Sequence, residues 1–433
     1  MTDKVATSHD FEHQYNVSQK NEDGVEITPQ GERSASSISA FWHLLCILAG
    51  SGSLSLPYVL GNAGWIGVII IVLCTLFAIY NNILLVRCLY AIPDRRLSSY
   101  TEIGYASFGI VGKVAVWFFH NSIVIGGPIV YMILAGSNIE SLVKPLGVTL
   151  TVEHWIIICT ALVFIPFVTF RNIREITILS FFGTFATIFA IIVVVVVSFM
   201  NLDKAKELPE RSHTFVNWGQ IPLTLGSIGF SFGGNVVFPH VEATMKNPKA
   251  WNKVMSLSIA TVAVLYLLIA ASGYYVFGSE ALAPIFQNLN PYNPATTVAV
   301  ILITIHVLLA SPLFLFGFVN EIEHNFRINE ERLSKVSYYS IRTAIRVLTI
   351  LFVGVIAVIV PFFGDFMSLI GALSECMTVF VLPVVCYLKL YGWRRCNIPQ
   401  LIWFALTIVV GTIGCIWGSI DAVITLKKDF DSK

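Results

Sequence analysis

The chain has 433 residues, 56% of them hydrophobic and only 12% charged, with a mean hydropathy of +0.76. A soluble domain carries about twice that charged fraction. Runs of twenty or more nearly uncharged residues instead mark a polytopic helical membrane protein. The formal net charge of +1 gives no sign of a nucleic-acid partner.

The first 37 residues are polar and contain no apolar core, so no cleavable signal peptide is expected there. They read as a disordered, solvated cytosolic tail. The one sequon, Asn16-Val17-Ser18, lies in it and should stay unglycosylated on the cytosolic side. About eleven spans follow, near 38–61, 65–90, 112–142, 154–170, 175–200, 219–244, 253–277, 295–324, 342–361, 364–391 and 399–425. A short C-terminal tail, 426–433, ends the chain. With the N-terminus inside, twenty of the 27 Lys and Arg residues fall on the inner side. Lys144, Lys204, Lys206, Arg211, Lys427, Lys428 and Lys433 fall outside. That asymmetry sets the orientation, and an odd number of spans places the C-terminus outside or in an organelle lumen. All eight cysteines fall in apolar segments or at their inner ends, so no disulfide is expected.

Two spans carry residues that break helices. The first contains "LAGSGSLSLPYV", Leu48 to Val59, and the sixth reads "LGSIGFSFGGNVVFPHVEATM". In each a Gly precedes a Pro by five: Gly52 and Pro57, then Gly234 and Pro239. A Pro inside a helix removes one backbone hydrogen bond and clashes with the preceding turn. In hydrocarbon each freed backbone group costs several kcal/mol unless protein, water or a ligand satisfies it. The two spans open successive sets of five, and an odd number per set inverts the second set. Matching breaks in inverted halves, 38–200 and 219–391 with 399–425 as an extra helix, point to a transporter whose substrate binds at the breaks. Close helix packing by small residues is the alternative reading of the glycines.

The chemistry follows from polarity. Residues 52 to 55 begin an outer half-helix, whose unpaired N–H groups favour an anion. Phe230 to Gly233 end the sixth span's outer half-helix, leaving carbonyls for a cation or ammonium. A carboxylate at one break and an ammonium at the other describe an α-amino acid.

"GSGSLSLPYVLGNAGWIGVIIIV" and "GFSFGGNVVFPHVEATMKNP" resemble the first- and sixth-helix signatures of the amino acid/auxin permease family, which includes vacuolar, vesicular and neutral amino acid transporters. The similarity runs from about Ser36 to the end. It implies an all-α, eleven-helix LeuT-type fold of five plus five inverted repeats with one extra helix, and secondary transport of amino acids driven by H⁺ or Na⁺. Backbone at Gly50, Ser51 and Gly52, with Ser53 beside them, would hold the carboxylate. Phe230 and Ser231 would hold the amine, with Phe232 and Gly233 at the same break. Asn121 and Ile125 are the candidates for a third-helix pocket wall. In a fold of this type a cation can sit between first-helix carbonyls near Cys46 and Ala49 and the eighth-helix Ser311.

Ionisable groups inside spans are functional candidates. Glu375 lies about eleven residues into the tenth span, so ~16 Å deep and near the middle of a ~30 Å core. His306 sits at a similar depth. Both are candidates for proton coupling. Glu242, following Pro239, is a candidate for an inner gate, with the two prolines as hinges. No resident cofactor or metal is expected beyond the coupling ion. No Walker Lys-Ser/Thr, His-Glu-x-x-His or repeated filter motif supports the rival classes, an enzyme or a channel. The expectation is therefore a secondary transporter of neutral amino acids, H⁺-coupled with Na⁺ as the alternative, in the plasma membrane or a vacuolar or lysosomal membrane. Its partners would be the substrate and the bilayer.

Overall fold

In hydrocarbon a helix satisfies all its own backbone groups, so long apolar runs fold as helices and only an unusual sequence interrupts one. The computed structural model describes residues 19–20, 26–27, 33–93, 95–169, 176–209, 211–326, 328 and 334–432. Apart from a two-residue pairing of Gln19–Lys20 with Glu26–Ile27, the expectations for the tail before Arg33 lie outside the described residues. So do those for the sequon and for Arg171, Arg174, Arg327, Arg332 and Lys433.

Among the described residues, ten helical segments are long and apolar enough to cross a membrane. The sixth crossing escapes that criterion because it is two short pieces, Ile221–Ser231 and Phe238–Thr244. Together they make eleven crossings, as the sequence anticipates. The first is likewise divided into Ser37–Leu48 and Leu56–Ala63, joined by a tight turn at Ser51–Ser55.

Burial sorts the helices by role. The first, third (Tyr100–Val143) and tenth crossings are mostly enclosed by protein. The fourth (Val152–Thr169), ninth (Lys335–Ile359) and eleventh (Ile398–Ser432) present most of their surface to the outside, as lipid-facing helices must. The seventh crossing, Trp251–Phe277, packs along both halves of the first. The eleventh packs on the sixth and tenth, and the eighth, Pro294–Asn325, on the third and fifth. The breaks therefore sit in the protein interior, where polar backbone has partners.

Two departures from regular helix matter for the site. The third helix begins twelve residues earlier than the sequence suggests, because a bend at Phe108 and Gly109 (φ 62°) folds Tyr100–Ser107 back on itself. A Cβ on Gly104 would stand 2.5 Å from the Gly112 carbonyl oxygen, so only glycines allow this fold-back. The tenth crossing contains a π-helical stretch, Gly371–Val381, between Phe363–Ile370 and Leu382–Tyr391. Wide turns of this kind leave carbonyls open to outside donors. Here the Tyr100 hydroxyl donates to Thr378 O at 2.9 Å, and Asn81 Nδ2 donates to Val379 O and Phe380 O at 3.0 and 3.2 Å.

Candidate functional site

At the first break the chain leaves helical geometry at Ala49 (φ −77°, ψ 60°) and Gly50 (φ −102°, ψ −154°). Ser51 and Gly52 then head the tight turn, so their N–H groups have no acceptor within it. Two hydroxyls repair the remaining loss. Ser53 Oγ donates to Gly50 O at 2.9 Å and Ser55 Oγ to Gly52 O at 2.8 Å. Ser53, expected beside the substrate, thus spends its hydroxyl hydrogen on the turn. Ser51 Oγ is buried with no hydrogen-bond partner among the described residues. Pro57 stands in the first turn of the outer half-helix, where its missing N–H costs nothing.

At the sixth break, Phe232 to Val237 separate the two half-helices, and Gly234 (φ 124°) adopts a conformation that favours glycine. Pro239 again occupies a first turn. The breaks touch. A Cβ added to Gly52 would lie 2.7 Å from Ser231 Oγ and 2.9 Å from Ser231 Cα. The turn that opens the first crossing's outer half-helix and the C-terminal end of the sixth crossing's outer half-helix are therefore side by side.

Glu375 joins this centre. It is 1% exposed, accepts a hydrogen bond from Thr378 Oγ1 at 2.8 Å and one from the Gly234 N–H, and packs directly against Gly233. Asn235, the next residue of the break, donates through Nδ2 to Thr378 O. The π-helical turn carries the carboxyl into the interruption of a different helix.

Other expected residues fall elsewhere. Ile125, half-buried, lines an outward groove with Phe318, Leu348 and Phe352. Asn121, one turn earlier, donates to Trp117 O of its own helix at 2.9 Å. Its Oδ1 is buried with no hydrogen-bond partner among the described residues. Phe232 is fully buried, its ring 5.4 Å from that of Tyr266. Phe230 is partly buried, its Cβ close to Gly371. Cys46 and His306 meet beside Gly183 of the fifth crossing, and His306 Nδ1 has no hydrogen-bond partner among the described residues. Ser311 donates to Val307 O at 2.9 Å within its own helix.

Two tyrosines go unnoticed in the sequence. Tyr131 of the third helix holds its hydroxyl 3.7 Å from where a Gly50 Cβ would stand. Tyr266 of the seventh places its hydroxyl 2.5 Å from both Leu48 O and Ser231 O. Their only signal is a phenol inside a span, which needs a polar partner when buried.

Both ends of the assembly are tied. On the N-terminal face, the buried Glu242 accepts from Tyr90 Oη at 2.5 Å and from Arg96 Nε and Nη2 at 3.0 and 2.6 Å, with Arg33 3.9 Å away. Ala35 N donates to Thr244 O at 2.9 Å, and Lys246 N returns a bond to Ala35 O at 2.8 Å. The charged residue expected at a gate is thus held by a two-armed guanidinium. On the opposite face, Tyr58 of the first helix donates to Asp365 of the tenth at 3.3 Å, and Trp65 N and Ile66 N donate to Thr214 O and Phe215 O.

Known proteins share this architecture. A Na⁺-coupled sialic acid symporter in a substrate-bound outward-open state superposes with a TM-score of 0.55 at 13% identity, covering 96% of this chain and 93% of that one. A manganese transporter of Eremococcus coleocola gives 0.50 at 13% identity, covering 94% and 99%. These are similarities of fold, and the fold is the LeuT-type arrangement. In sequence, the chain is 27% identical to the amino acid transporter AVT1I of Arabidopsis thaliana over 402 residues, 91% of this chain and 96% of that protein. It is 28% identical to AVT1J of the same plant over 413 residues, 92% of each. The transmembrane amino acid transporter protein family matches residues 33–424. A membrane transporter rather than an enzyme, the chain belongs to the transmembrane amino acid transporter family.

Proposed function

We propose that this protein is a secondary active carrier of neutral amino acids, coupled to protons, that alternates access by rearranging the first and sixth helices around their breaks. The observation that carries the reading is Glu375, a carboxyl enclosed at the Gly233–Gly234 break, beside the point where this reading puts the substrate. An intramembrane carboxyl beside a substrate site is the natural place for a coupling proton. The backbone at Gly50 to Gly52 takes the substrate carboxylate, and the carbonyls ending Ile221–Ser231 take the ammonium. Apart from Glu375, the groups named at the breaks are uncharged (aliphatic, aromatic, hydroxyl and the Asn235 amide), which favours side chains without charge. The excess of Lys and Arg on the N-terminal side supports a cytosolic N-terminus, with the opposite face extracellular or lumenal. On that orientation the Glu242–Arg96–Tyr90 cluster is the cytosolic gate and Tyr58–Asp365 part of the outer closure.

The test is uptake by purified protein in liposomes against a panel of amino acids, with pH or Na⁺ gradients imposed separately. Accumulation should follow the pH gradient, collapse with a protonophore and saturate with substrate. Flux indifferent to pH in both the wild type and Glu375→Gln would overturn the coupling. Accumulation driven by Na⁺ alone would favour the sodium alternative.

A further inference from the structure

We propose that the Tyr266 hydroxyl stands in for a cation between the two helix breaks, and that removing it creates a Na⁺ site at that point. Leu48 is the last residue of the first crossing's inner half-helix, and Ser231 the last of the sixth crossing's outer half-helix. The Leu48 carbonyl also accepts from the Gly50 N–H at 2.8 Å, and each carbonyl carries the negative end of a helix dipole. Both converge on one hydroxyl oxygen, 2.5 Å from each, in a fully buried position.

A hydroxyl has one hydrogen, so it satisfies one of these carbonyls at a time. Two negative helix ends meeting at a buried point favour a positive charge there. Half-helix C-termini and unwound carbonyls are the groups with which transporters of broken-helix type hold Na⁺. Tyr266 enters from the seventh crossing, which packs along both first-helix halves, and its ring is held against Phe232. The phenol therefore fills the place an ion would take, and ties the two moving helices to a third. This rests on the reading of the breaks as the transport site. It goes beyond that reading by giving one side chain control over whether a metal ion joins the substrate.

The experiment melts purified protein in NaCl, KCl and choline chloride at equal ionic strength, then measures uptake in liposomes with Na⁺ or K⁺ on both sides. Wild type is expected to melt alike in all three salts and to transport equally in Na⁺ and K⁺. Tyr266→Phe keeps the ring and loses the hydroxyl, and should melt lower in every salt. Tyr266→Ser and Tyr266→Asn make room and offer one oxygen. Each should gain a Na⁺-specific rise of about 2 °C or more over KCl and an uptake about tenfold higher in Na⁺ than in K⁺. A Na⁺ response of that size in the wild type, or its absence from both small variants, overturns the proposal. Failure of both to fold in any salt counts against it equally, since a cation at the vacated point should support the fold. A wild type that carries no amino acid would defeat the transport reading and leave the melting comparison to decide this one.

Discussion

Gly52 is where the two broken helices come closest, and a methyl group there tests whether that approach is the working centre. A Cβ would sit 2.9 Å from Ser231 Cα, against an ordinary separation of 3.4–4 Å, so the backbones must part by about half an ångström. Overpacking of this kind costs about 1–3 kcal/mol, and the Ser231 hydroxyl at 2.7 Å adds to it. If the cost is charged to substrate binding, apparent affinity falls by about one to two orders of magnitude, since 1.4 kcal/mol is tenfold. Gly52→Ala should show this in the KM for uptake, and Gly52→Val should abolish transport. Ser231→Gly in the Gly52→Ala background removes the crowding hydroxyl but leaves the sixth-helix backbone in the way. Partial recovery with a coupling of about 0.5–3 kcal/mol in melting stability is therefore expected. Gly317→Ala is the control, because nothing lies within 4 Å of its added methyl; a helix-interior Gly to Ala exchange is worth about 1 kcal/mol in its favour. Wild-type uptake by Gly52→Val would refute the assignment of the breaks as the site.

Glu375→Gln keeps the shape and one oxygen to accept from Thr378 or Gly234, so exchange of labelled for unlabelled amino acid should persist while accumulation against a pH gradient is lost. Arg96→Ala strips the buried Glu242 of its two-armed partner but leaves it the Tyr90 hydroxyl and Arg33 3.9 Å away. The loss should therefore stay below about 3–5 kcal/mol, the cost of a buried charge left uncompensated. The variant should melt lower, and an Ala49→Cys reporter in it should be labelled faster from the N-terminal side; unchanged labelling would remove Glu242 from the gate. Ser51→Ala should change the KM for uptake less than about tenfold, because the site draws on the backbone of this residue. A larger loss would make the unpartnered hydroxyl a principal ligand.

Much of this was readable along the chain. Eleven crossings follow from apolar length alone, because hydrocarbon allows few other structures. The breaks are equally legible, since Gly50, Gly52, Pro57, Gly233, Gly234 and Pro239 change local backbone geometry wherever they stand. Glu375 is visible as a carboxyl at mid-depth, and Glu242 as a charge just past a break. Their partners are not. Tyr266 lies 35 residues from Ser231 and 218 from Leu48, and no spacing announces that one hydroxyl serves both. The third helix poses a related problem: with no strong apolar stripe to orient it, it gives no local sign of which face meets the breaks. The π-helical turn that aims Glu375 at Gly233 is set by packing against the second, third and sixth helices.

The sequence by itself determined that the protein crosses a membrane as helices, where two of them are interrupted and which polar groups each interruption frees. Those properties depend on residues next to one another in the chain. Only the tertiary structure decided that the two interruptions touch at Gly52 and Ser231, that Glu375 enters the second, and that Tyr266 bridges both. Contacts between distant helices are fixed by how whole faces pack, and a linear order of residues does not record that.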